Sequence, residues 1–189
     1  MRGFANWNDC ANSTTAMAAA NLHHDFKEFL RLLNSEKAKY LLLGGYAVNF
    51  HGHQRFTGDI DVWISTEPGN AECVCAALTK FGFPPSTLNL AEFQEQGRVF
   101  QFGRVPVRID ILTGPSGIEF SDCYSRRVES VFDGVPVPII SLEDLKTNKA
   151  ASGRPKDLAD LAELARLSDQ AKPPPAKAKK SSGRRPRQG

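Results

Sequence analysis

The sequence predicts an α/β (α+β) fold, a mixed β-sheet with flanking helices. Short apolar runs of strand length at residues 41–43, 59–64, 98–102 and 105–112 are bounded by glycine, proline or polar residues. Apolar residues elsewhere recur at helical spacing, as at Phe26, Phe29, Leu30 and Leu33. The chain of 189 residues, 41% hydrophobic and 24% charged, is long enough to bury one core.

In chain order, residues 1–20 are rich in Asn, Ser, Thr and Ala without a period and are expected to be loose. The folded domain is expected over 21–168. A helix from about Leu22 presents Lys27, Glu28 and Arg31 on its polar face. The stretch that organises the chain follows, at residues 40–65: a strand, Leu41-Leu42-Leu43, a sharp turn at Gly44-Gly45, an apolar segment to Phe50, and a second strand, Asp59-Ile60-Asp61-Val62-Trp63-Ile64.

Strand side chains alternate between faces, so Asp59, Asp61 and Trp63 share one and Ile60, Val62 and Ile64 the other. Two carboxylates side by side on an apolar strand repel unless a cation lies between them. Hard divalent ions take carboxylate and phosphate oxygens, and a glycine turn lets backbone N–H groups approach phosphate closely. The stretch reads as a metal and phosphate site.

Pro68 opens a helix through Cys73, Leu78 and Phe81, with Gly82 as its stop. Pro84-Pro85 marks a loop, and 90–96 suits a short helix. Strands at 98–102 and 105–112 are expected to turn at Gly103-Arg104. In the second, Val107, Ile109 and Ile111 form the buried face, so Arg108 and Asp110 point the other way; Asp110 has the same setting as Asp61. A helix is expected at 118–127, then a turn at Asp133-Gly134 and a strand at 135–140.

Ser141 with Asp144 resembles a capping box and places Leu142, Leu145, Lys146 and Lys149 on one helix, ended by Gly153. Pro155 suits the first turn of the last helix, whose packing face is expected along Leu158, Leu161, Ala162 and Ala165. Asp157 is read as stabilising that helix's positive start.

No apolar run approaches the ~20 residues of a membrane span, and the N-terminus lacks a secretory layout. Cys10, Cys73, Cys75 and Cys123 form no pattern and read as reduced thiols of a cytoplasmic protein. The net charge of +3 conceals a split: seven Lys and Arg lie in 171–189 without an acid, leaving −4 on residues 1–170. The segment 169–189, rich in Pro, Lys and Arg, is expected to be a disordered basic tail able to bind nucleic acid.

GGYAVNFHGHQRFTGDIDVWI, then RIDIL, then SLEDLKTNKAASGRPKDLADL resemble the nucleotidyltransferase superfamily that includes DNA polymerase beta. The likeness is strongest to its small bacterial members, among them AbiEii-type toxins and antibiotic nucleotidyltransferases. It spans residues 40–167 and implies a minimal nucleotidyltransferase fold. Asp59, Asp61 and Asp110 then match the family's three metal-binding and catalytic acids. Gly44 and Gly45 match its nucleotide-binding turn, with Gly45 where many relatives carry serine.

The resemblance implies two Mg²⁺ (or Mn²⁺) ions clamping an NTP, ATP favoured, for in-line displacement, with Asp110 taking the acceptor's proton. Arg55, Lys146, Lys149, Arg154 and Lys156 are the expected phosphate-side cations, and Thr57 either bonds phosphate or orients Asp59. His51 and His53 are expected as solvated loop side chains rather than ligands, and Trp63 as packing rather than stacking on a base. The acceptor is open between a small molecule, a tRNA end and a protein side chain. A tRNA-modifying toxin with an antitoxin-like partner is one alternative; a non-catalytic binder of nucleotide or nucleic acid is another.

Overall fold

A six-stranded mixed sheet forms the centre of the described residues, its strands β1 (Tyr40–Leu42), β2 (Asp59–Ile64), β3 (Val99–Arg104), β4 (Val107–Leu112), β5 (Val128–Phe132) and β6 (Val135–Ile139) in the order β3-β4-β2-β1-β6-β5. The computed structural model describes residues 22–104 and 106–171, so the expectations for 1–20 and for the tail beyond Ala171 lie outside the described residues. Helix α1 (His24–Ser35) buries Phe26, Phe29, Leu30 and Leu33, the stripe set by its period, and the His23 ring accepts from the Asp25 N–H at its start. Strand β1 (Tyr40–Leu42) is wholly buried. It pairs antiparallel with β2 (Asp59–Ile64) and parallel with β6 (Val135–Ile139).

Between β1 and β2 lies α2 (Gly44–Phe50), which packs on β2. The expected glycine turn is the start of this helix, and Gly44 enters it at φ +58°. Helix α3 (Pro68–Phe81) has Pro68 in its first turn and stops at Gly82 in the left-handed region, as its end residues dictate. It lies against α1, with Phe29 edge-on to Phe81. Strands β3 (Val99–Arg104) and β4 (Val107–Leu112) form a hairpin, and β4 runs parallel to β2. Helix α4 (Phe120–Ser125) and strand β5 (Val128–Phe132) lead into β6. Helices α5 (Leu142–Ser152) and α6 (Pro155–Ala171) pair at the end.

The mixed sheet with flanking helices is the fold the sequence predicts, with local departures. Gly103 and Arg104 remain in β3, opposite Arg108 and Val107, so the hairpin turns two residues later. The 90–96 segment forms only a 3-10 turn at Glu92–Gln94. The helix expected at 118–127 is confined to α4, and Val128 to Phe132 pair with β6 as an edge strand. That strand carries charged and polar residues and was not expected. It is the first arm of a hairpin whose second arm is β6, joined by the Asp133-Gly134 turn that the sequence marks.

The face of α6 also differs. Leu158 is 47% exposed and Ala162 and Ala165 are exposed, whereas Asp157, Asp160 and Leu164 are buried. Both stripes obey the helical period, so periodicity fixes the helix but not which of two adjacent stripes turns inward. Partnered charges decide it here. Among the described residues no helix is long and apolar enough to cross a membrane.

Candidate active site

The parallel register of β2 and β4 sets Asp61 directly across from Asp110 and Asp59 across from Arg108. Period two therefore gathers Asp59, Asp61, Arg108 and Asp110 on one face at the same level of two neighbouring strands. Gly44 begins α2 immediately above them. A Cβ at Gly44 would run into the Asp61 carboxylate, and one at Gly45 into Thr57. Both glycines are thus required for the helix to approach β2. Serine at Gly45 would push Thr57 aside in this chain.

A cleft of about 520 Å³ opens over this corner, within the range of small-ligand sites. Leu43, Gly44, Gly45 and Arg55 wall one side, Gln101, Arg108 and Asp110 another, and Lys149, Arg154 and Lys156 a third. A broader hollow of about 800 Å³ beyond Gly114 and Pro115 contains none of the three aspartates, so size alone does not mark the site.

Asp61 is partly buried, and that burial, with the negative charges of Asp59 and Asp110, raises its pKa to about 6; Lys149 and the Gly45 N–H hold it back. Asp110 is 6% exposed. Thr57 Oγ1 donates to Asp59 Oδ1 at 2.9 Å, the contact that orienting Asp59 requires.

Arg108 was not among the expected cations, yet it pairs with two of the three acids. Its Nε donates to Asp110 Oδ1 at 2.7 Å, and its Nη2 to Asp110 Oδ2 and Asp59 Oδ2, both at 2.8 Å. The signal was present in the sequence: Arg108 lies two residues before Asp110 and must share its face.

The other cations divide. Lys149 is buried and bridges Asp157 at 2.6 Å and Asp160 at 2.9 Å. Arg55 forms a two-pronged pair with Asp160 at 2.8 and 2.9 Å, tying the loop before β2 to α6. Burial works against ionisation of Asp157, but hydrogen bonds from Lys149, Ser152 and Arg154 outweigh it and lower the pKa to about 2. Asp157 therefore anchors a network as well as starting a helix, and Asp160, unremarked in the sequence, is its second anchor. Arg154 and Lys156 lie at the cleft rim, exposed. Lys146 is not at the cleft; it bonds Glu143 and Ser168.

His51 Nε2 bonds the Ile140 carbonyl oxygen at 2.8 Å, and His53 Nε2 lies 3.7 Å from Asp160. Neither loop histidine is simply solvated. Trp63 is buried edge-on against Phe120.

The oxygen-only donor set, with one carboxyl raised to about 6 by burial and by its two neighbours, has the chemistry of a hard divalent-cation site. As the side chains stand, no three such groups among the described residues are gathered tightly enough to hold an ion. The Arg108 guanidinium engages Asp59 and Asp110 there.

A mixed sheet with aspartates on adjacent parallel strands beneath a glycine-led helix defines a nucleotidyltransferase-like protein. The chain belongs to the family "nucleotidyltransferase of unknown function" (DUF6036), whose profile matches residues 20–171. Among solved structures it is similar to an antigenic nucleotidyltransferase-like protein from Paracoccidioides brasiliensis. The two are 17% identical, with a TM-score of 0.47 over 75% of this chain and 73% of that one. No curated protein matches the chain.

Proposed function

We propose that the chain is a metal-dependent nucleotidyltransferase that moves a nucleoside monophosphate from an NTP, ATP favoured, to an acceptor hydroxyl or phosphate. The observation that carries this reading is the register that sets Asp59 and Asp61 of β2 beside Asp110 of β4, at the floor of a cleft under Gly44. These three carboxylates would hold Mg²⁺ or Mn²⁺. When bound, the metal neutralises the triphosphate and lowers the pKa of the acceptor.

The chain's own residues do the positioning. Thr57 fixes the rotamer of Asp59, and the Gly45 N–H fixes Asp61. Arg154 and Lys156 at the rim attract the phosphates, while Arg55 and Lys149 hold α5 and α6 against the cleft. The acceptor oxygen attacks the α-phosphorus as the bond to the leaving pyrophosphate breaks, and Asp110 takes the acceptor's proton. Catalysis of this kind is positioning and charge stabilisation.

One observation favours a non-catalytic nucleotide binder instead: Arg108 occupies two of the three acids. Incubation with each labelled NTP, Mg²⁺ or Mn²⁺, and total RNA or lysate separates the two readings. Label transfer lost in Asp61→Asn and Asp110→Asn supports the enzyme; NTP binding without transfer to any acceptor class supports the binder. The labelled product names the acceptor among small molecule, tRNA and protein. A labelled tRNA would align the chain with AbiEii-type toxins and call for an antitoxin-like partner.

A further inference from the structure

We infer that Arg108 is the resident cation of the carboxylate cluster, which a divalent ion can replace only when a nucleotide arrives to take the guanidinium. The inference rests on the nucleotidyltransferase reading and concerns the order in which its site is loaded. Arg108 donates to both oxygens of Asp110 and to Oδ2 of Asp59, and Thr57 takes the remaining oxygen of Asp59. Every oxygen of these two acids thus already accepts a hydrogen bond, and Arg108 accounts for three of the four.

A divalent ion needs lone pairs on the same side and would meet a positive charge on arrival. Mg²⁺ in particular dehydrates reluctantly and relies on one or two carboxylates together with substrate phosphates. With Arg108 in place, only Asp61 offers a carboxylate not engaged by the guanidinium.

The guanidinium also has somewhere to go. Its side chain is 26% exposed and lines the cleft. Its cross-strand partner on β3 is Gly103, which puts no side chain opposite it; Gln101, two residues along β3, meets Asp110 Oδ2 at 3.4 Å. A triphosphate in the cleft offers planar two-pronged pairing of the kind arginine makes with carboxylates. Transfer of the guanidinium from Asp59 and Asp110 to phosphate would free both acids as the ion enters. Metal and nucleotide binding are then coupled through one side chain, reciprocally. Arg108 acts on the metal through Asp59 and Asp110 and is, in that respect, a positioning residue.

The test is Mn²⁺ affinity without nucleotide, read from the electron paramagnetic resonance signal of free Mn²⁺, for the full chain and for Arg108→Met and Arg108→Lys. Removing the charge in Arg108→Met should tighten Mn²⁺ binding by about tenfold or more. Arg108→Lys, which keeps a cation, should stay near the parent. A non-hydrolysable NTP analogue should tighten Mn²⁺ binding in the parent and do so far less in Arg108→Met.

A purely structural arginine would lower the melting temperature on removal without strengthening metal binding. Equal or weaker Mn²⁺ affinity in a folded Arg108→Met protein overturns the inference. Should that variant fail to fold, Arg108→Gln carries the comparison with the same criterion. A parent that binds no Mn²⁺ even with the NTP analogue overturns the nucleotidyltransferase reading itself; a parent that binds both, beside an unchanged variant, overturns only the role of Arg108.

Discussion

Replacing Asp61 by Asn should stabilise the metal-free protein, and the gain should appear in a defined pH window. The Asp61 pKa is raised from 3.8 to about 6, by burial first and then by Asp59 and Asp110. An acid whose folded pKa lies above its unfolded value holds its proton more tightly in the folded state, so stability falls as pH rises between the two values. Below pH 4 the wild-type protein loses nothing. Through pH 4 to 6 the loss accumulates, and above that it is constant. Roughly two pKa units correspond to about 3 kcal/mol, or on the order of 6–12 °C in melting temperature for a domain of this size.

Asn has nearly the same shape, and its carbonyl can still accept from the Gly45 N–H. Asp157, whose folded pKa of about 2 lies below 3.8, contributes stability that is present above pH 4 and lost as pH falls toward 2. It does so in both proteins and cancels in the difference. Thermal or urea melts of both at half-unit steps from pH 4 to 8, with chelator, give the curve directly. A difference that is flat across pH 4–6, or an Asn variant less stable at pH 8, would refute the picture of a strained three-carboxylate cluster.

Other outcomes follow from the same geometry. Mn²⁺ or Mg²⁺ together with NTP should raise the melting temperature of the parent by mass action, and Asp61→Asn and Asp110→Asn should abolish that rise; calorimetric scans with and without ligand check it. Gly44→Ala should destabilise by about 1–2 kcal/mol from its left-handed backbone alone, and more because its Cβ meets Asp61; denaturant melts and NTP titration should both register the change. Lys149→Met strips the shared cation from Asp157 and Asp160 and should cost about 3–5 kcal/mol, as for other broken buried pairs, measured in urea. Deleting 172–189 removes seven positive charges and should leave NTP affinity intact while RNA binding weakens and loses its salt dependence; filter binding at two salt concentrations decides it.

The sequence by itself determined the mixed sheet with flanking helices, the limits of α3 and α5, and the shared face of Asp59 and Asp61. These follow from local physics: strand alternation, helical period, and end signals such as Pro68, Gly82, Ser141 and Gly153. It also showed that Arg108 and Asp110 lie on one face of their strand.

What it could not set was the register between β2 and β4, which alone brings Asp110 opposite Asp61 and Arg108 opposite Asp59. The two strands are far apart in the chain, and no local pattern carries their offset. The inward stripe of α6 is a second case. Leu158 and Ala162 were as well spaced as Asp157 and Asp160, and the choice fell to charges on other elements: Lys149 on α5 and Arg55 before β2. β5 is different: its partner β6 lies just across the Asp133-Gly134 turn, a local hairpin signal that the sequence already carried. For the register and for α6 the deciding energy belongs to residues on different elements, brought together only by the tertiary structure.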